Sequence, residues 1–252
     1  MKPAGGGASE KRTLRVVGTT MNHQVDLLFG RLAEAVGHRP PRVLQVGSRS
    51  VIADRNERNW RNLVIKRFGN RTQFVGIDLA DGTNVDHVLD ICSEPRTLRA
   101  KLGREQFDLV ICCHVLEHTR RPARAARNIE RVLRPGGLAY VATPWSQAFH
   151  AMPDDFWRFS MRGLMLLFQQ LEIVESFYSG GDVGLDVAYR VTRDGQPELS
   201  PAAATVEQGL FQLVLDHEDN RIMLARQATE RLPVSRTYLP TLFVNIVGQR
   251  LG

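Results

Sequence analysis

Cysteine is scarce in this chain: Cys92, Cys112 and Cys113 are the only three in 252 residues. They are too few and too badly spaced for a disulfide framework or a zinc site. Cys112 and Cys113 fall in an apolar strand pattern, where a free thiol behaves as a small hydrophobe. Lysine is equally sparse. Lys2, Lys11, Lys66 and Lys101 stand against a total of 33 basic residues, and the net charge is +6. A basic balance permits an anionic partner without demanding one, and arginine-rich usage also follows from codon bias. No apolar run reaches the length of a bilayer span. The opening MKPAGGGASEKR carries charge with no apolar core behind it, so it is not expected to be a secretory signal. Residues 1–20 read as a disordered leader, no membrane partner is expected, and the cytoplasm is the expected compartment. No internal repeat is present.

What the chain does have is a series of short apolar strands, each ending in small or polar residues. Arg42 to Val46, Gln73 to Asp78, Phe107 to Cys112 and Leu138 to Thr143 read as strands, with a short one at Asp86 to Leu89. Helical periodicity predicts helices over Met21–Val36, Arg55–Phe68, Arg121–Arg134 and Met161–Gln170. Glu172–Phe177 and Leu242–Gly248 read as the last strands. This order predicts an α/β fold. Its Rossmann-like, seven-stranded, mostly parallel sheet has helices on both faces and an antiparallel strand at the C-terminus. The domain spans 21–252. About sixty residues, roughly 181–240, separate the last two strands and contain a helical pattern from Val206 to Arg231. That connection is long for a turn, and is either a lid over a substrate or a contact in a homodimer.

Open sheets of this kind bind nucleotides at their carboxyl edge. Gly47-Ser48-Arg49-Ser50 follows the first strand. A glycine there lets backbone approach a ligand, and the turn's amides can donate to it. Asp78 ends the second strand about thirty residues on, where a carboxylate accepts both hydroxyls of a ribose.

Beyond these come Val115-Leu116-Glu117-His118, Leu133-Arg134-Pro135-Gly136-Gly137-Leu138, and the run from His150 through Pro153-Asp154-Asp155-Phe156-Trp157-Arg158-Phe159 to Leu164. With these, residues 42–178 resemble class I S-adenosylmethionine-dependent methyltransferases, in particular a bacterial branch of the type 11 group. The resemblance implies that Gly47 and Ser48 line the methionine side of S-adenosylmethionine. It also implies that Asp78 takes the ribose and Leu79 packs on adenine. Asp90 and Ile91 would meet the adenine edge, and Cys113 and His114 would lie near the sulfonium. Two positions depart from the pattern. Gln45 stands where the family has an acid, and Arg49 where it has a second glycine. Gln45 can hydrogen-bond but cannot neutralise the ligand's ammonium.

Methyl transfer from a sulfonium needs alignment of a nucleophile and management of its proton, and calls for neither a covalent enzyme nucleophile nor a metal. The histidines available are His114, His118 and His150. His150 is the expected base and His114 the second candidate. His118, opening a helix after an acid, reads as a cap or a packing residue. Trp145, Asp154, Asp155, Trp157 and Arg158 are the expected substrate residues, with Phe149 and Phe156 adding an apolar wall. The arginines at 120, 124, 127, 131 and 134 recur at helical spacing and read as a solvated face. A small-molecule acceptor is the first reading. A nucleic-acid methyltransferase is disfavoured because strand four ends in Cys-Cys-His, not in the Asn/Asp-Pro-Pro-aromatic run of base amino-methylation. A non-catalytic binding protein of the same fold is the third reading.

Overall fold

A computed structural model describes residues 20–37, 39–49, 59–104, 106–147, 149–150, 154–182, 185–190 and 242–252. Five strands run parallel: β1 (Arg42–Val46), β2 (Gln73–Asp78), β3 (His87–Val88), β4 (Phe107–Cys113) and β5 (Leu133–Ser146). β8 (Leu242–Arg250) inserts antiparallel between β5 and β6 (Leu171–Asp182), and β7 (Leu185–Arg190) folds back on β6. The sheet order is β3-β2-β1-β4-β5-β8-β6-β7. The expected seven strands are therefore present. An eighth, β7, occupies the start of the segment read as an insertion. The rest of that segment, including Val206–Arg231, lies outside the described residues.

Neighbouring strand residues bury on opposite faces, which is why the central strands are apolar throughout. Val43, Leu109, Ile111 and Tyr140 pack with Leu28, Phe29 and Leu32 of α1 (Thr20–Val36) and with Trp60 and Val64 of α2 (Trp60–Phe68). Leu44, Val110, Cys112 and Val141 pack on the other face. Their partners come from α3 (Pro95–Leu102), α4 (Pro122–Val132) and α5 (Met161–Leu167). Helix starts follow local chemistry. Asn59 accepts from the Asn62 amide at 2.8 Å, Ser160 accepts from the Gly163 amide at 3.1 Å, and Pro95 and Pro122 open α3 and α4.

Two boundaries differ from the sequence reading. β5 starts at Leu133, before the expected Leu138, but its pairing with β4 jumps from Leu133 opposite Phe107 to Leu138 opposite Leu109, so Pro135-Gly136-Gly137 bulges out with Gly136 at φ +73°. α3 had no clear signal, because its eight residues bury only Leu98 and Leu102. At the amino end of β4, Asp108, 1% exposed, accepts from the Arg39 and Arg134 guanidiniums and, at 2.8 Å, from the Arg42 amide. Burial pushes the Asp108 carboxyl up, but these donors outweigh it and hold it below the usual carboxylate range. This lock ties α1's end, β1, β4 and β5 together.

Candidate functional site

A cavity of about 560 Å³ opens at the carboxyl ends of β1, β2 and β4. Its floor begins with Gly47, at φ +71°, where any added Cβ would lie 2.4 Å from Val115 Cγ2. Only glycine takes that conformation and that contact together. The amides of Gly47 and Ser48 both donate to the Ile77 carbonyl, at 2.9 and 3.1 Å, and the Arg49 amide donates to Asp78 at 3.2 Å. The expectation that this turn offers its amides to a ligand is therefore corrected. They are spent on shaping the turn.

Asp78 closes β2 in the cavity wall, its other oxygen accepting from the Ala80 amide at 3.2 Å. Leu79, 58% exposed, turns its apolar side chain into the same space. Asp90 and the buried Ile91 complete that side, with Asp90 accepting from the Cys92 amide at 2.7 Å. Gln45, Ser48 and Cys113 are not among the lining residues. Ser48 is buried against Gly76, whose missing Cβ would meet the Ser48 hydroxyl at 2.6 Å. Burial pushes both the Cys112 and Cys113 thiols up, so neither is a thiolate nucleophile. Arg49 lines the rim, with its stem beside Gly82.

The opposite wall is His114, Val115, His118 and Thr119. His114 holds φ +56°, uncommon for a residue with a side chain, and its amide donates to the Ala142 carbonyl at 2.9 Å. Its ring meets Phe243 of β8 edge-on at 4.6 Å. Half of that side chain is open, but it opens onto a cavity walled by protein. Burial, and then the charges of His150 and His118, lower its pKa to about 4. His114 is thus a neutral imidazole at pH 7. Asp78 and His114 end strands separated by β1, so they stand roughly 10 Å apart at ordinary strand spacing.

His118 does not open a helix. It ends a 3-10 turn, Leu116–His118, that brings Glu117 into the interior at 0% exposure. Glu117 Oε2 accepts from the Thr143 hydroxyl at 3.2 Å, while Oε1 has no hydrogen-bond partner among the described residues. Burial raises the Glu117 pKa. The residues after β5 dock on this turn. The Phe156 amide donates to the Glu117 carbonyl at 2.8 Å, and Trp157 Nε1 donates to the Thr119 carbonyl at 2.8 Å.

None of the expected substrate residues lines the cavity. Trp145 packs into the core edge-on to Tyr178 at 5.6 Å. Asp154 gives its carbonyl to His118 Nδ1 at 2.6 Å and its carboxylate to Arg120 at 3.6 Å. Asp155 is gripped by Arg158 through two hydrogen bonds and accepts from the His150 amide at 2.9 Å. The Arg158 guanidinium holds Asp155 well below the usual carboxylate range. His150 sits edge-on to His118 at 4.9 Å, with Nδ1 3.3 Å from Asp155, and is not a lining residue. Glu117 is the residue that sequence reasoning overlooked. The only signal was an acid beside a histidine after a strand, and burial of that acid is invisible to periodicity.

Residues 64–141 match the methyltransferase domain family. No curated protein matches the chain. Among solved structures, the chain is similar to the N-methyltransferase NodS from Bradyrhizobium japonicum WM9 in complex with S-adenosyl-L-homocysteine. That match has 15% identity and a TM-score of 0.43, covering 71% of this chain and 90% of the other. It is also similar to a SAM-dependent methyltransferase from Archaeoglobus fulgidus, at 14% identity and a TM-score of 0.46, over 90% and 94%. A third is the complex between the Haloferax volcanii Trm112 methyltransferase activator and the putative methyltransferase, at 17% identity and a TM-score of 0.45, over 92% and 94%.

Proposed function

We propose that this chain, a class I S-adenosylmethionine-dependent methyltransferase, carries the methyl group to an oxygen or nitrogen of a small-molecule acceptor. The carrying observation is one cavity with a ribose-accepting carboxylate, Asp78, on one wall and a neutral imidazole, His114, on the other. The residues present fit the cofactor. Gly47 leaves the turn without a side chain that would fill it, Asp78 would take the ribose, Leu79 and Ile91 would flank the adenine, and Asp90 would meet its edge. When bound, S-adenosylmethionine supplies an electrophilic methyl group on a cationic sulfur, leaving as S-adenosylhomocysteine.

The chain's own residues manage the rest. His114, uncharged, adds no cation beside a sulfonium and is the residue we assign to take the acceptor's proton. A volume near 560 Å³ lies in the range of small-ligand sites. Three arginines of the stripe, two on α4 and one at the start of β5, favour the same class over nucleic acid. Arg124 is paired with Glu94 at 2.6 Å, Arg131 donates to Asn128 at 3.1 Å, and Arg134 is committed to Asp108. Those three guanidiniums are committed within the fold and offer little for phosphates. Among the described residues no helix is long and apolar enough to cross a membrane.

The test is transfer of labelled methyl from S-adenosylmethionine to fractionated cell extract, with and without nuclease. Label in nuclease-resistant, low-mass fractions is expected. Label found only in RNA or DNA overturns the small-molecule reading.

A further inference from the structure

We infer that Glu117, His118 and His150 form a binding site for a divalent first-row transition metal at the acceptor side of the cavity. One ligand atom from each of the three lies within 4.8 Å of the others. Glu117 supplies the independent observation. It is fully buried, and its Oε1 has no hydrogen-bond partner among the described residues, although Oε2 is satisfied by Thr143. A buried carboxylate oxygen left unpaired is costly and calls for an occupant. Its nearest neighbours do not satisfy it. His118 Nε2 stands at 3.9 Å and His114 Nδ1 at 3.8 Å, both beyond hydrogen-bonding reach.

The histidines are set as ligands are set. His118 Nδ1 lies 2.6 Å from the Asp154 carbonyl, which can only accept, so the proton is on Nδ1 and the lone pair on Nε2 faces Glu117. His150 is held through its amide and its Nδ1 by Asp155, itself fixed by Arg158. Carbonyls and carboxylates behind imidazoles are the supports that orient metal-binding histidines. Bonds of about 2.1 Å at a tetrahedral angle put ligand atoms about 3.4 Å apart, so small side-chain shifts from the observed spacing close the site. Two imidazoles and one carboxylate favour zinc, iron, cobalt or manganese over magnesium and calcium, which prefer all-oxygen shells.

From sequence alone no metal is called for, with His150 as the base and His118 a cap or packing residue. The structure assigns both to the same carboxylate. Because His118 also lines the cavity, an ion held there borders the space an acceptor's oxygen or nitrogen would enter, and would hold that atom. That extension, unlike metal binding itself, rests on the methyl-transfer reading.

The experiment uses the full chain without an affinity tag, stripped with chelator and titrated with Co²⁺ by calorimetry and visible absorption. One equivalent with a ligand-field band is expected. H150A, at a partly exposed position, and the isosteric E117Q should each weaken Co²⁺ by about thirtyfold or more, and D155N by about tenfold. Each variant should bind S-adenosylhomocysteine as the parent does. A parent chain that takes up no Co²⁺, or H150A and E117Q binding it unchanged, overturns the metal site. Failure of S-adenosylhomocysteine to bind the parent would instead strike at the cofactor reading.

Discussion

Gly47→Ala is the substitution whose cost can be worked furthest from the structure. Two penalties add. At φ +71° an alanine pays about 1–2 kcal/mol for left-handed backbone. Its Cβ would also sit 2.4 Å from Val115 Cγ2, an overlap that forces a shift costing about 1–3 kcal/mol. Val115→Ala removes the obstructing methyl and leaves Val115 Cβ at 3.8 Å, an ordinary contact. By itself that change costs about 1–2 kcal/mol of lost packing. The double variant should therefore be more stable than the sum of the singles by about 1–3 kcal/mol, with only the backbone penalty persisting. Urea denaturation followed by circular dichroism gives all four corners of the cycle. Calorimetry with S-adenosylhomocysteine should follow the same order, with Gly47→Ala losing about tenfold or more and the double variant recovering part of it. Strict additivity would refute the steric argument. A Gly47→Ala chain with parental affinity would show that this turn does not cradle the cofactor.

Asp78→Ala should weaken S-adenosylhomocysteine by about a hundredfold or more by calorimetry, since two hydrogen bonds to a charged acceptor are together worth about 3–6 kcal/mol. His114→Ala should lower turnover about a hundredfold while leaving S-adenosylhomocysteine affinity within about threefold, measured by labelled methyl transfer. Arg49→Ala should change S-adenosylmethionine affinity by less than about threefold, because its stem lies along Gly82 at an exposed rim. A larger loss would mean that Arg49 grips the ligand's carboxylate. Asp108→Asn should cost about 3–5 kcal/mol at pH 7 by leaving Arg39 and Arg134 without their anion. Asp108's pKa is depressed in the folded state. The stability it contributes is therefore whole above the ordinary value of 3.8 and lost as pH falls through the folded value. The parent should show this acid limb in pH-dependent denaturation, and the Asn variant should lack it.

The sheet was legible because β1, β2 and β4 are apolar over a length shorter than most helices, and Gly47, Asp78 and His114 close them. Cys113 and Ser48 were placed by analogy with a strand end, yet they point into packing. Adjacent residues of a strand face opposite sides, and position in a motif does not reveal which side. Trp145 misled for the same reason: an aromatic next to a strand end is core as readily as wall. β7 was hidden inside a long connection, since an edge strand that pairs on one side needs little apolar pattern.

The acceptor side was the least legible because its residues come from separate places in the chain. Glu117 and His118 follow β4, while His150 and Asp155 follow β5, and only the parallel pairing of those strands makes them neighbours. The pairing alone would leave two loops side by side. What joins them is the donation of the Phe156 amide and the Trp157 indole to the carbonyls of Glu117 and Thr119. Those bonds place Asp154 where His118 needs an acceptor and Asp155 where His150 does. The carboxylates read from sequence as substrate contacts therefore act on the histidines. The Asp154 carbonyl and the Asp155 carboxylate thus fix the two imidazoles that face Glu117.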